Sequence, residues 1–160
     1  MLIRLDTDDW KLGYCKDDPV RPHLSLSWRV QSGREVYGLE SNKGDIEAVI
    51  CVGYTNDIPI TEHELDYYSQ AACQDGQHGN VAVFYTVWSY TRGAGTDIIF
   101  ETVKWIQKNK PEVDRFVTLS PLTEMARKFH LRNGAIEYRM NKTSVNFEYM
   151  IEGKNATTLD

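Results

Sequence analysis

The stretch that decides the fold is residues 81–96, which read VAVFYTVWSYTRGAGT. Residues 81–90 are apolar or aromatic on both alternating faces, a pattern typical of a strand that is covered on both sides. We therefore predict that they form the central strand of a sheet. The glycine-rich loop at residues 92–95 follows directly. From Thr96 onward we predict a helix, because apolar residues then recur on one helical face.

The chain before this stretch supplies further elements of a sheet. Residues 2–5 alternate like a short first strand, and residues 23–30 alternate like a strand or an irregular edge. Residues 35–39 and 46–54 are predicted to pair as antiparallel strands, because a turn-forming sequence, SNKGD, lies between them. Residues 61–73 are predicted to form a helix that begins with a threonine cap and early acidic residues.

The chain after the glycine loop continues the alternation of strands and helices. Residues 115–120 are predicted to form a strand. Ser120-Pro121 is a favourable helix start, because the hydroxyl can cap free amides and the proline lacks a redundant donor. We expect the helix to span residues 122–132 and to end at Asn133-Gly134, a sequence that favours a C-terminal cap in the left-handed conformation.

The order of these elements predicts an α/β (α+β) fold. Residues 136–140 and 145–151 are predicted to form a closing hairpin. The result is a mixed sheet flanked by helices, and we expect a ligand to bind at the strand–loop–helix unit. We expect residues 1–151 to form a single domain and residues 152–160 to form a flexible C-terminal tail, because the tail is polar.

Composition and charge argue against several classes of function. The chain has 160 residues and a net charge of −5, so we expect no nucleic-acid partner. No apolar run approaches the ~20 residues needed to cross a bilayer, and the acidic start is unlike a signal peptide. We therefore expect a cytoplasmic protein with no membrane contact. Three cysteines without CxxC spacing and four histidines without ligand spacing predict no metal site.

A strand that feeds a glycine-rich loop and then a helix is suited to binding phosphate. Glycines let backbone amides approach the anion, and the helix N-terminus adds partial positive charge. The same sequence is also compatible with a simple tight turn. It is not a Walker loop, because no Gly-Lys-Ser/Thr follows. It is not a Rossmann fingerprint either, because the third glycine is missing.

The loop resembles the pyrophosphate loop of the GCN5-related N-acetyltransferase (GNAT) superfamily, whose pattern is Gln/Arg-x-x-Gly-x-Gly/Ala. Arg92 and Gly95 match the first and fourth positions. Asp97 stands at the sixth position, where the pattern has a small residue. Two interpretations of this departure remain open: either the Asp97 carboxylate points to solvent, or it weakens coenzyme binding through repulsion.

A second segment strengthens the resemblance. Residues 123–135 are similar to the superfamily pattern Asn-x-x-Ala-x-x-Leu-Tyr-x-x-x-Gly-Phe, with Ala126, Phe129 and Gly134 in register. His130 replaces the tyrosine that commonly protonates the leaving thiolate, so the resemblance implies His130 as a general acid. A histidine here is also compatible with a structural role, satisfied by a backbone carbonyl.

The resemblance implies a mostly antiparallel sheet that is splayed at the strand before the glycine loop. It also implies acetyl-CoA, or another acyl-CoA, as co-substrate and no metal. The implied coenzyme-binding residues are Val87, Ser89, Arg92, Gly93, Ala94, Gly95, Thr96, Asp97, Thr123 and Arg127. Among them, Val87 and Ser89 would offer backbone amides to the acyl carbonyl and so stabilise the oxyanion that forms during transfer.

The implied activity is transfer of an acyl group, such as acetyl, to an amine of a small molecule or a protein. The amine would attack the thioester directly, and the protein would mainly position the reactants. The sequence identifies no general base. It leaves a second function open, in which a degenerate GNAT fold has a structural or interaction role, as in some tailed bacteriophages. A homodimer is one expectation for its assembly.

Overall fold

The computed structural model describes residues 1–74 and 76–151, so the predicted tail at residues 152–160 lies outside the described residues. The strands are β1 (Leu2–Arg4), β2 (Glu35–Glu40), β3 (Ile46–Thr55), β4 (Val81–Ser89), β5 (Arg115–Thr118), β6 (Ile136–Met140) and β7 (Val145–Tyr149). The α-helices are α1 (Glu62–Ala72), α2 (Ala94–Asn109) and α3 (Glu124–Arg132). Two 3-10 helices, Trp10–Asp17 and Trp28–Val30, precede β2.

The strands form one sheet in the order β1-β2-β3-β4-β5-β7-β6. Neighbouring strands are antiparallel except for β4 and β5, which are parallel. The predicted mixed, mostly antiparallel sheet is therefore confirmed. The central position of β4 is also confirmed, because three strands lie on each side of it.

Both faces of β4 are covered, as its sequence predicts. Ala82 and Phe84 belong to the apolar cluster on the face that carries α2. Val81 and Val83 belong to the cluster on the opposite face, together with Leu65 of α1. The α2 side chains that pack on the sheet are Ile98, Ile99, Val103 and Ile106. Because β4 is packed on both faces and α2 packs on the sheet, the loop that joins β4 to α2 is anchored at both of its ends.

Residues 23–30, for which the alternating sequence predicts a strand or an irregular edge, do not form a strand. The backbone instead makes local turns, in which Leu24 N–H donates to Arg21 and Arg29 N–H donates to Leu26. The Arg29 side chain is fully buried, and its guanidinium donates to Asp18 at 2.8 Å. The turns bring the Arg29 side chain into the core, where it pairs with Asp18, and an extended edge strand would not place it there.

The starts of two helices differ from the prediction. α3 begins at Glu124 rather than at residue 122, because Thr123 is the residue whose hydroxyl caps the helix by accepting from the Ala126 N–H. Ser120 instead exchanges two backbone hydrogen bonds with Val145, each 2.9 Å long. α2 begins at Ala94, two residues before the predicted start.

None of the helices in the described part of the chain is long and apolar enough to span a membrane.

Candidate active site

β4 and β5 pair over only part of their length. The parallel register runs from Val81, opposite Arg115, to Phe84, opposite Thr118. A last hydrogen bond, from the Leu119 N–H to the Phe84 carbonyl, measures 3.2 Å. β4 continues to Ser89, so its second half has no strand beside it on the β5 side. The predicted splay of the sheet at this strand is confirmed, and it opens a gap between β4 and β5.

A β-bulge marks the point where the two strands part. On the β3 side, Val52 lies opposite Phe84 and Cys51 lies opposite Thr86. Tyr85 is therefore an extra residue in β4, and an extra residue bends the strand locally. The bulge falls immediately after the last β4–β5 pair, at the point beyond which β4 has no partner in β5.

The backbone amides of Val87 and Ser89 face this gap. The Tyr90 N–H donates to the Glu47 carbonyl of the β3 side at 2.8 Å. Because backbone groups alternate in direction along a strand, Trp88 also turns its N–H toward β3. The N–H groups of Val87 and Ser89 then point to the other side. Two such donors at an open strand edge are suited to a ligand carbonyl or a developing oxyanion.

The first turn of α2 lies at the same end of the gap. Gly93 is its N-cap residue and has φ +86°, a left-handed conformation that glycine adopts without strain. No side chain of the described residues caps this helix start. Because the Ala94 and Asp97 N–H groups donate to the Thr91 and Gly93 carbonyls, the first-turn amides left for an anion are those of Gly95 and Thr96, and the helix dipole adds partial positive charge.

Gly95 brings the α2 backbone close to α3. A Cβ atom built at Gly95 would lie 3.3 Å from Cε1 of Phe129 and 3.6 Å from the Ser89 hydroxyl. The Phe129 distance is shorter than an ordinary van der Waals contact, so a larger side chain must either displace the Phe129 ring or project into the gap. The close approach of the α2 backbone to α3 therefore requires glycine at position 95.

The gap widens into a cleft of about 930 Å³ between β4, α3 and residues 19–20. Its wall is largely apolar, with contributions from Phe84, Val87, Trp88, Leu119, Met125 and Phe129. Five of the predicted site residues line it: Val87, Ser89, Gly95, Thr123 and His130. The remaining predicted residues, Arg92, Gly93, Ala94, Thr96, Asp97 and Arg127, lie on the loop, the first turn of α2 and α3, and are not among the lining residues.

Two cationic residues of the cleft were missed by the sequence analysis. Lys128 and Arg132 line the cleft from α3. They are four residues apart, so they lie on one helical face, and this spacing was a signal that could have identified them.

Asp97 is exposed and does not line the cleft. The carboxylate therefore lies outside the cleft, but it remains in the first turn of α2, where it can still repel an incoming anion at low ionic strength.

His130 is buried at the inner wall of the cleft, with 5% of its surface exposed. Its Nδ1 lies 2.7 Å from the Tyr149 hydroxyl, so its partner is a side chain rather than the backbone carbonyl of the structural alternative. Burial lowers the pKa of His130 to about 4. Burial also raises the pKa of Tyr149, which keeps the phenol protonated and able to donate to Nδ1. The His130 ring is then neutral at neutral pH, and in the tautomer in which Nδ1 accepts from the phenol the ring proton lies on Nε2.

The cleft contains no carboxylate among the described residues that line it. A general base of the Asp or Glu type is therefore not part of this wall. Over the same described ranges, no three His, Cys, Asp or Glu side chains are grouped so as to hold a metal ion. Besides the side-chain hydroxyls of the wall, the groups that can act chemically are the amides of β4 and α2, the His130 ring and the two cations of α3.

A mixed sheet that splays beside its central strand, with a glycine-rich helix start at the opening, defines the GNAT fold, and the chain has this fold. It is similar to Tetrahymena GCN5, with a TM-score of 0.57 and 15% identity over 96% of this chain and 99% of that chain. It is also similar to Arabidopsis thaliana NAA60, solved in complex with a bisubstrate analogue, with a TM-score of 0.61 and 15% identity over 96% and 98% of the two chains.

The fold is also shared with a protein of different activity. Malonyl-CoA decarboxylase from Rhodopseudomonas palustris matches with a TM-score of 0.70 and 18% identity over 98% of this chain. The match covers 61% of that chain, so this protein spans less than two thirds of the decarboxylase. No protein-family model and no curated protein sequence matches. At these identities the likeness concerns the fold alone.

Proposed function

We propose that this protein transfers an acyl group from an acyl-CoA, acetyl-CoA in the first instance, to an amine. The observation that supports the proposal best is the gap beyond Phe84, where β4 presents the Val87 and Ser89 amides without a neighbouring strand. An amide pair at an open edge, next to an uncapped helix start, fits a ligand with a carbonyl at one end and a diphosphate at the other.

Each part of the cleft would have one task in this reaction. The first-turn amides of α2 would hold the diphosphate, and Lys128 and Arg132 would add positive charge along α3. The apolar wall would accommodate the pantetheine arm. The Val87 or Ser89 amide would donate to the thioester oxygen, which becomes negatively charged when the amine attacks.

The proton balance of the transfer does not require His130 to give up a proton. The attacking amine forms the C–N bond and loses a proton, while the C–S bond breaks and the thiolate gains one. The proton that the amine loses would pass to the thiolate, directly or through solvent, which balances the step. The His130 ring is neutral, and a neutral imidazole is a far weaker acid than a thiol, so His130 would donate a hydrogen bond from its free ring N–H to the developing thiolate rather than transfer the proton.

A thiol-release assay tests the proposal. Acetyl-CoA is incubated with the protein and, in separate reactions, with n-butylamine, L-lysine or a peptide with a free N-terminus. We expect release of free CoA that depends on both the protein and one of these amines, together with an N-acetylated product detected by mass spectrometry. A protein that neither binds acetyl-CoA nor releases CoA with any amine would favour the alternative structural or interaction role.

The cleft also supports a second candidate, decarboxylation of a malonyl-CoA type of substrate. Its wall carries Lys128 and Arg132 but no carboxylate, so a carboxylated acyl group would not be repelled. The similarity to malonyl-CoA decarboxylase favours the same candidate. In this reaction the C–C bond breaks to release CO2, the electron pair remains on the thioester enolate, and a proton from the solvent converts the enolate to acetyl-CoA. The Val87 and Ser89 amides would stabilise the enolate oxygen.

The two candidates differ in their need for an amine. Malonyl-CoA is incubated with the protein in amine-free buffer, and the acyl-CoA products are measured by mass spectrometry. Acetyl-CoA that forms only in the presence of the protein would support decarboxylation. Malonyl-CoA that stays intact while acetyl-CoA supports transfer to an amine would leave acyl transfer as the function.

A further inference from the structure

The two parted strands are joined by a buried arginine from a distant part of the sequence. Arg21 has 6% of its surface exposed. Its Nη1 donates to the Tyr85 carbonyl of β4, and its Nη2 donates to the Leu119 carbonyl just after β5, at 2.9 Å. One planar guanidinium group therefore bridges the strands at the residues where their own hydrogen bonding ends.

The position of Arg21 is itself fixed from the β4 side. The Asp18 carboxylate accepts from the Arg21 N–H at 2.9 Å and from the Thr86 hydroxyl at 2.9 Å. The same carboxylate is paired with Arg29 at 2.8 Å. Thr86 precedes Val87 directly, so the backbone that carries Arg21 is tied to the strand that presents the two amides.

We propose that Arg21 is a positioning residue, which sets the separation of β4 and β5 at the start of the gap and thereby the orientation of the Val87 and Ser89 amides. This inference rests on the proposed acyl-CoA function. A guanidinium fits the task because its donors are held in one plane at a fixed spacing, whereas the ammonium group of lysine is a single point of charge. Arg21 does not need to touch the acyl group to act in this way.

Loss of Arg21 is expected to have a different effect on binding from loss of a residue that contacts the diphosphate. Loss of the bridge would disturb the acyl end of the cleft, which lies at the β4–β5 separation. It would leave the first turn of α2 unchanged, because that turn is held by its own hydrogen bond, from the Thr96 hydroxyl to Oδ1 of Asn133 at 2.9 Å. The expected consequence is a loss of recognition of the acyl group with little change in recognition of CoA itself.

Arg34 provides a matched control. It is also buried, with 2% of its surface exposed, and its side chain also donates to a backbone carbonyl, that of Trp28, at 2.7 Å. Its other partners are on α1: the Ser69 hydroxyl at 2.6 Å and the Asp66 carboxylate at 3.5 Å. Replacing Arg34 by Met therefore removes a buried guanidinium of the same kind without touching β5.

The first arm of the test needs no ligand. Amide hydrogen exchange is measured on the wild type, Arg21→Met, Arg21→Lys and Arg34→Met. We expect the Leu119 N–H, which makes the last hydrogen bond before the gap, to exchange faster in both Arg21 variants than in the wild type and in Arg34→Met. Equal protection of Leu119 in all four proteins would overturn the proposal. If Arg21→Met does not fold, Arg21→Lys decides the question.

The second arm measures the dissociation constants of acetyl-CoA and of CoA by calorimetric titration. We expect the Arg21 variants to lose about two- to tenfold in affinity for acetyl-CoA, the range of one hydrogen bond, and to keep the affinity of the wild type for CoA. An unchanged affinity of the Arg21 variants for acetyl-CoA would overturn the proposal. So would a result in which Arg21→Met and Arg34→Met lose the same affinity and each loses it equally for acetyl-CoA and for CoA, because Arg21 would then have a purely structural role. A wild type that binds neither ligand would refute the acyl-CoA function itself, whatever the exchange result.

Discussion

The imidazole of His130 and the phenol of Tyr149 are hydrogen-bonded at the inner wall of the cleft, with Nδ1 2.7 Å from the hydroxyl oxygen. The ring centroids of Phe129 and Phe147 lie 5.1 and 5.3 Å from that of His130. The apolar surroundings leave the histidine without a charged partner, which explains why burial lowers its pKa to about 4. This pair makes stability depend on pH in a way that can be measured.

Acidification is expected to destabilise the protein through His130. The pKa is about 4 in the folded state and 6.5 in the reference state, so the unfolded chain binds more protons between these values. The free energy of unfolding therefore falls as the pH drops from about 6.5 to about 4, by about 3 kcal/mol at 1.36 kcal/mol per pKa unit. Denaturant unfolding of the wild type and of His130→Gln across this range checks the prediction, because glutamine does not titrate.

The control for this experiment is His63→Gln, which removes an exposed histidine from α1. We expect its stability to follow the same pH dependence as the wild type. A His130→Gln variant that loses as much stability on acidification as the wild type would contradict the account of the His130 site.

Removing the charge of Asp97 is expected to strengthen binding of acetyl-CoA. Asp97 lies in the first turn of α2, where a carboxylate favours the helix dipole but repels an incoming diphosphate. Asp97→Asn should therefore cost about 0.3–1 kcal/mol of stability and raise the affinity for acetyl-CoA by about two- to fivefold at low ionic strength. Calorimetric titration at low salt and at 1 M salt, where the Debye length is about 3 Å, measures the effect and its screening.

Glu101→Gln is the matched control, because it removes an exposed carboxylate from the same helix farther from its start. We expect its affinity for acetyl-CoA to stay within twofold of the wild type. An Asp97→Asn variant that binds no better than Glu101→Gln would show that the diphosphate does not approach this turn.

Removing the cap of α3 is expected to affect both stability and binding. The Thr123 hydroxyl accepts from the Ala126 N–H at 3.2 Å, and Thr123 lines the cleft. Thr123→Ala should reduce the free energy of unfolding by about 1 kcal/mol. It should also weaken binding of acetyl-CoA, because the first turn of α3 forms part of the wall.

Thr61→Ala separates these two effects. Thr61 caps α1 by accepting from the Glu64 N–H at 3.0 Å, and it is not among the residues that line the cleft. We expect a similar loss of stability, about 1 kcal/mol, with unchanged binding. Equal losses of affinity in the two variants would mean that binding responds to overall stability rather than to the wall of the cleft.

The sequence predicts the parts of this fold that have a local signature. The apolar pattern of β4, the glycines after it and the periodicity of α2 all lie in one continuous stretch, residues 81–109. The mixed sheet and its splay follow from them with the help of the GNAT resemblance. Ser120 shows the limit of such patterns. Its hydroxyl and the proline after it favour a helix start, but tertiary pairing with Val145 holds it at the sheet.

The contacts that shape the cleft have no local signature. Arg21 is 64 residues from Tyr85 and 98 from Leu119, and its sequence neighbourhood gives no sign of a bridge between strands. The Tyr149 partner of His130 likewise comes from β7, 19 residues away. Side-chain contacts between distant elements produce no periodicity, so they emerge only when the chain is folded.

The most direct test of the central claim, that the cleft binds acyl-CoA, is thermal unfolding with and without millimolar acetyl-CoA. At 100 times the dissociation constant, a ligand that binds only the folded state stabilises it by about 2.7 kcal/mol, so we expect a clear rise in Tm for the wild type. Gly95→Leu should abolish the rise, because its side chain meets Phe129 and the cleft, whereas Gly13→Leu should keep it, because a Cβ at Gly13 meets nothing within 4 Å. No rise in Tm for the wild type, or an equal rise in all three proteins, would contradict the account.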